Sequence, residues 1–213
     1  MSLAEAPRDC PACPRLVAYR AANAKAEPSW FNGPAPSFGD PDARLLIVGL
    51  APGRTGANRT GRPFTGDYAG ELLYATLADL GLSRGTYSAS PDDGMTLYGV
   101  MITNAVRCAP PQNKPTPEEI TTCNSFLAAR MAALPQLSVM VALGRIAHDA
   151  VLKALGRKAS AATFAHGARH DLGDLTLFDS YHCSRYNTQT RRLTPQMFAD
   201  VLAAARDAAR IAP

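Results

Sequence analysis

Asn104 and His182 each end an apolar run, and Phe64 sits in a short loop crowded by Gly61, Pro63 and Gly66. A carboxamide offers a donor and an acceptor side by side, the pattern that matches the O4/N3–H edge of a base such as uracil. An imidazole at a strand end can donate to negative charge that develops on a leaving group. A flat ring on a stiff loop is a surface on which a planar base can stack. Asn58 and Asp67 flank Phe64 and are the polar groups available to hold a water, with Asn58 able to orient it without deprotonating it. Two of these residues also fit plain structural roles: Asn104 could bond its own turn, and Asp67 could cap the helix that follows it.

The elements that must position these groups are legible as apolar runs and helical periodicities. Residues 44–50, 97–104, 138–143 and 175–181 suit buried strands, and 68–80, 117–134, 145–155 and 195–210 suit helices. Thr116 before Pro117 and Thr194 before Pro195 are helix-start signals, with Glu118 and Glu119 in the first turn of the former. Strands that alternate with helices predict an α/β fold with a parallel sheet covered on both faces. Right-handed crossovers then gather the polar strand ends along one edge. Those ends are Gly49, Leu50, Ala51 and Pro52, then Thr103 and Asn104, then Gly144, then Tyr181 and His182. Gly49, Gly53 and Gly56 leave room for a ligand to approach the main chain. Residues 24–40 and 84–96 read as surface excursions, and residues 1–213 as one domain.

The chain carries a net charge of +4, from 22 Lys and Arg against 18 Asp and Glu. The bias is modest, but Arg54, Arg59 and Arg62 crowd the first loop, and Arg185, Arg191 and Arg192 crowd a later one. The later stretch interleaves basic, polar and aromatic groups. That suits phosphate contact by the three arginines and insertion of Tyr186 or Leu193 into a base stack; a solvated helix-entry loop is the plain alternative. No secretory signal or membrane-length apolar run is visible, so a cytoplasmic monomer with no membrane partner is expected. A P-loop, a dinucleotide glycine fingerprint and a G-x-S-x-G elbow are all missing, which argues against those nucleotide and hydrolase classes.

Cys10 and Cys13 form a C-x-x-C pair, and Cys108 and Cys123 a wider one. An odd total of five cysteines without an export signal argues against a disulfide framework. Four thiolates from two distant segments suit either zinc or an iron–sulfur cluster. The wide second pair departs from a zinc ribbon and, with Pro11, Pro14 and Pro110 around the thiols, favours a [4Fe–4S] cluster acting as a structural staple. Cys183 stands apart, as an apolar filler or as a thiol in the site. His148, His166 and His170 read as structural.

Gly49–Gly53, Asn58–Asp67, Thr103–Pro111 and the set of His182, Asn187, Leu193 and Thr194 together resemble the family 5 (type b) uracil-DNA glycosylases. The resemblance covers nearly the whole chain, with the four cysteines at that family's cluster positions. It implies a three-layer α/β/α sandwich around a central four-stranded parallel sheet and a [4Fe–4S] cluster. It also implies removal of uracil, and of deaminated bases such as hypoxanthine or xanthine, from DNA, leaving an abasic site. By position, Phe64 looks like the stacking residue, Asn104 the reader of the base edge and His182 the motif histidine facing O2. Family 1 enzymes carry an Asp where this chain has Ala51, and family 5 shares its absence. The chain departs from the family at Cys183, where a proline is common, and at Arg191, where a glycine is common. Two rival readings are a non-catalytic binder of damaged or abasic DNA that carries the cluster, and an iron–sulfur electron carrier.

Overall fold

A computed structural model of the protein describes residues 4–212. Its strands are β1 (Phe38–Gly39), β2 (Leu45–Gly49), β3 (Ser83–Arg84), β4 (Thr96–Leu97), β5 (Val100–Asn104), β6 (Val139–Leu143), β7 (Arg169–Asp171) and β8 (Thr176–Ser180). Its α-helices are α1 (Pro14–Ala26), α2 (Ala57–Thr60), α3 (Tyr68–Asp79), α4 (Pro117–Ala132), α5 (Arg145–Ala154), α6 (Arg185–Gln189) and α7 (Pro195–Ala208).

Every residue of β2, β5 and β6 is buried, as expected of parallel strands covered on both faces. Period-two alternation sends Leu45, Ile47, Val100, Ile102, Val139, Val141 and Phe178 into one core with Leu73 and Leu77 of α3 and Phe198 and Leu202 of α7. The intervening Leu46, Val48, Met101, Met140 and Leu177 face Leu127 and Met131 of α4 and Val151 and Leu152 of α5. The result is the three-layer α/β/α sandwich. The sheet order is β1-β5-β2-β6-β8-β7, in which the four central strands are parallel. The expected four-stranded parallel sheet is therefore the middle of a mixed six-stranded one. Its short edge strands β1 and β7 run antiparallel to their neighbours.

Local signals explain most boundaries. Thr116 and Glu119 form a reciprocal capping box at the start of α4, and Thr194 accepts from Met197 N at the start of α7. The apolar run 97–104 is two strands rather than one, broken at Gly99, whose φ of +63° turns the chain. Helix α1 carries little apolar periodicity, with only Leu16 and Asn23 buried, and Pro14 in its first turn is its one local signal. Three histidines are structural in this frame or close to it. His148 Nδ1 lies 2.7 Å from Asp179 Oδ1, His170 Nε2 lies 2.9 Å from Asp179 Oδ2, and Tyr181 N donates to His166 Nδ1 at 3.1 Å.

One expected DNA contact is corrected here. Leu193 is fully buried in the core that contains Phe198, so it cannot be a wedge. It occupies the position before the Thr194 cap, and Phe198 is the fourth residue of α7, the two places a hydrophobic staple joins. Leu193→Ala should cost about 2–5 kcal/mol of stability, read from the urea midpoint at constant slope. A loss under about 0.5 kcal/mol, the size typical of surface substitutions, would return Leu193 to the surface.

Candidate active site

The strand ends open into a cleft of about 400 Å³ lined by Leu50, Ala51, Pro52, Gly53, Phe64, Asp67, Asn104 and His182, among others. β2 and β5 end in register, Gly49 opposite Asn104. A Cβ on Gly49 would lie 2.5 Å from Asn104 Oδ1 and 2.6 Å from Phe64 Cζ, so only glycine admits both groups. Asn104 is 3% exposed, and among the described residues none hydrogen-bonds its carboxamide. The local-turn alternative for Asn104 is therefore not what the molecule adopts. Phe64 reaches the cleft from a backbone held at φ +53°, unusual for a bulky residue. Its ring faces that of His182 at 6.0 Å between centroids, with the planes 27° apart.

His182 sits between this cleft and a neighbouring one lined by Arg145, Phe164, Tyr181 and Arg192. Its carbonyl accepts from Asn187 Nδ2 at 2.8 Å, which fixes the loop immediately after β8. Burial pushes the imidazole below its ordinary value, and the charge of Asp67 opposes that in part. Near neutral pH the ring is an uncharged donor.

Asp67 does two things at once. One oxygen accepts from Gly70 N at 3.1 Å as the cap of α3. The other lies against the loop before α2, where a Cβ on Gly56 would fall 2.5 Å from it and one on Gly53 3.3 Å. Asn58, the other expected water holder, is corrected. It is buried away from the cleft lining, and its Nδ2 donates to Asn32 Oδ1 at 3.0 Å. Asn58 ties the loop to residue 32, whose N–H in turn bonds the Asn58 carbonyl.

The stretch after His182 is not an open loop but the short helix α6, capped by Ser184. Tyr186 is 72% exposed and remains the one expected wedge at the surface. The Arg185 guanidinium lies 5.3 Å over Tyr68 and that of Arg192 4.5 Å over Tyr181, while Arg191 is exposed at φ +57°. Cys183 is wholly buried, its thiol facing the Ala69 carbonyl at 3.5 Å, so it is filler and not a thiol of the cleft. Arg62, one of the three arginines that crowd the first loop, is buried against Asp93. Reasoning from sequence also missed Asn113, Tyr68 and Ser184 in the lining.

A family model, the uracil DNA glycosylase superfamily, matches residues 36–206. The chain belongs to that superfamily. It is 52% identical to a type-5 uracil-DNA glycosylase of Thermus thermophilus over 92% of each chain. It is 46% identical to one of Pyrobaculum aerophilum over 91% of this chain and 86% of that one. A type-4 enzyme of Archaeoglobus fulgidus matches at 40% identity over 53% of this chain and 49% of its own.

This superfamily member brings Cys10, Cys13, Cys108 and Cys123 to the wall of one small cavity. Arg20 donates to Cys108 Sγ at 3.5 Å and Arg107 N to Cys123 Sγ at 3.3 Å. Burial raises the Cys13 and Cys108 thiols and pushes Cys123 up to about 12. Among the described residues, the one set of three ligating side chains with all donor atoms within 4.8 Å is His148, His170 and Asp179. No three of the four sulfurs therefore lie within 4.8 Å of one another.

The depressed imidazole has a measurable consequence. Below its ordinary value of 6.5 an unfolded chain takes up a proton at residue 182 that the folded chain refuses. Stability contributed by His182 is therefore complete above pH 6.5 and declines on acidification toward the folded value. His182→Gln should flatten the fall in unfolding free energy between about pH 7 and 5. Parallel pH profiles for the two proteins would show that the ring is not desolvated.

Proposed function

We propose that the protein hydrolyses the N-glycosidic bond of uracil in DNA and leaves an abasic site. The observation that carries this reading is the meeting of Asn104 and Phe64 over Gly49, with His182 across the same cleft. A base turned out of the duplex costs a few kcal/mol, least where it is mispaired, and recovers it by stacking and edge contacts. Phe64 supplies the stacking face and the unpartnered Asn104 carboxamide the edge contacts. The C1′–N bond breaks with its electron pair going to the base, and a sugar cation is left. Neutral His182 and main-chain N–H groups near Leu50 and Ala51 stabilise the departing anion. Asp67, the polar candidate left facing the cleft, orients a water that adds to C1′. The proton this water releases passes through solvent to the departing base anion, which leaves as the neutral base. Hypoxanthine and xanthine belong to the proposed range, and the cleft volume of about 400 Å³ supports it. Arg185, Arg191 and Arg192 meet phosphates, and Tyr186 fills the gap in the stack.

The same reading places a [4Fe–4S] cluster on Cys10, Cys13, Cys108 and Cys123. The wide sulfur spacing and the two N–H donors at sulfur support it, because cluster thiolates are tuned by such bonds. When bound, the cluster would cross-link the segment before α1 to the loop after β5 and to α4, and none of the bond breaking passes through it.

A uracil-containing duplex treated with the protein and then alkali should show a break at the lesion. Asn104→Ala should slow single-turnover excision by the equivalent of about 1–3 kcal/mol for each edge bond lost, roughly tenfold or more. DNA bound without a break would instead support the binder reading, and an Asn104→Ala enzyme at full rate would remove Asn104 as reader. For the cluster, the purified protein should be brown with about four irons per chain, lost in Cys108→Ala. A colourless protein with stoichiometric zinc would sink the iron assignment.

A further inference from the structure

The excursion between β3 and β4 contributes nothing to the cleft lining, yet two of its side chains turn inward to the loop that carries Phe64. Asp93 accepts from both Nη atoms of Arg62, each at 2.7 Å, and the two side chains are 1% and 4% exposed. The N–H groups of Ser88 and Met95 orient the same carboxylate at 3.1 and 3.0 Å. Arg62 passes the constraint on, since its Nε donates to Thr65 Oγ1 at 2.7 Å. Its guanidinium lies 5.0, 5.3 and 5.7 Å from the rings of Phe38, Tyr74 and Tyr87. Tyr87 acts on the backbone directly: its hydroxyl donates to Phe64 O at 3.3 Å and accepts from Gly66 N at 3.2 Å. Tyr74, stacked on Tyr87, donates to Pro63 O at 2.8 Å.

These bonds bracket a residue in a disfavoured conformation. Phe64 at φ +53° would relax if its neighbours were free, and its ring would leave Gly49. We infer that Tyr87 and Asp93 are positioning residues for base recognition, holding the Phe64 ring in the stacking position through Gly66, Arg62 and the Phe64 carbonyl. The inference rests on the glycosylase reading, which gives Phe64 its stacking role. Arg62 holds the Asp93 carboxyl well below the usual carboxylate range, so the pair keeps its charge wherever the protein is folded and active.

Tyr87→Phe deletes one hydroxyl and keeps the ring stacked on Tyr74 at 4.7 Å. Amide exchange in a peptide spanning residues 62–67 should speed up, and saturating single-turnover excision should slow about tenfold, the scale of one buried hydrogen bond. Asp93→Asn should move both readouts the same way. In a Phe64→Ala background Tyr87→Phe should cost nothing more, because a residue that acts only through Phe64 has nothing left to position. Fully additive losses would make Tyr87 a general stabiliser and overturn the inference. Unchanged exchange at 62–67 in both variants would overturn it too, whatever the activity. A wild-type protein that leaves uracil in place overturns the glycosylase reading alone, and the exchange arm still decides whether the clamp exists.

Discussion

Gly49 and Asn104 are register partners at the ends of β2 and β5, and the volume that a Cβ at Gly49 would take is occupied by the Asn104 carboxamide and the tip of the Phe64 ring. Two features with unrelated causes meet there. The parallel register is set by hydrophobic patterning on both sheet faces, since a slip of one residue would exchange the two cores. The ring arrives from a loop whose backbone is held at φ +53°. Neither feature is useful alone. A side chain at residue 49 would expel the ring or the carboxamide, and a relaxed Phe64 would leave the carboxamide beside open solvent. The carboxamide lines the cleft and hydrogen-bonds none of the described residues, so its donor and acceptor are free to meet a ligand. The meeting of carboxamide and ring is thus fixed jointly by the two cores on either side of the sheet and by the strained loop.

Much of this was legible in the sequence, for reasons that also explain the failures. Strands buried on both faces and helices opened by Thr-Pro write themselves as apolar runs and local caps, and the convergence of their ends follows from crossover handedness alone. Asn104 and His182 were found because each ends such a run. Asn58 and Leu193 were misread because a polar residue in a loop and an apolar residue in a polar stretch have the same local signature whether they face outward or inward. For Leu193 a signal existed: the apolar pair at the two staple positions around Thr194. For Asn58 none did, since its partner Asn32 lies 26 residues away with no periodicity to announce it. Arg62 and Asp93 are 31 residues apart, and their pairing makes one of the loop's three arginines a buried strut. It also turned an excursion that reads as surface into the support of the aromatic loop.

The stretch from residue 183 to residue 193 shows how an exposed basic edge can be stiff. Both ends are rooted in the same core, Cys183 and Leu193 being fully buried. Between them Ser184 caps α6, and Leu193 N bonds the Asn187 carbonyl at 3.0 Å, closing the segment on itself. Asn187 then reaches back to His182 O, so the imidazole and the arginine-bearing turn move as one piece. Arg185 and Arg192 rest on Tyr68 and Tyr181, contacts worth about 0.5–1 kcal/mol each at exposed sites. That is comparable to the ordering cost of a long side chain on binding, about 0.5–1.5 kcal/mol. For the proposed contact with DNA, guanidiniums already stacked in place lose less freedom when a phosphate arrives. The departures at Cys183 and Arg191 fall at a buried root and at an exposed left-handed turn, so neither change intrudes on the cleft lined by Phe64, Asn104 and His182.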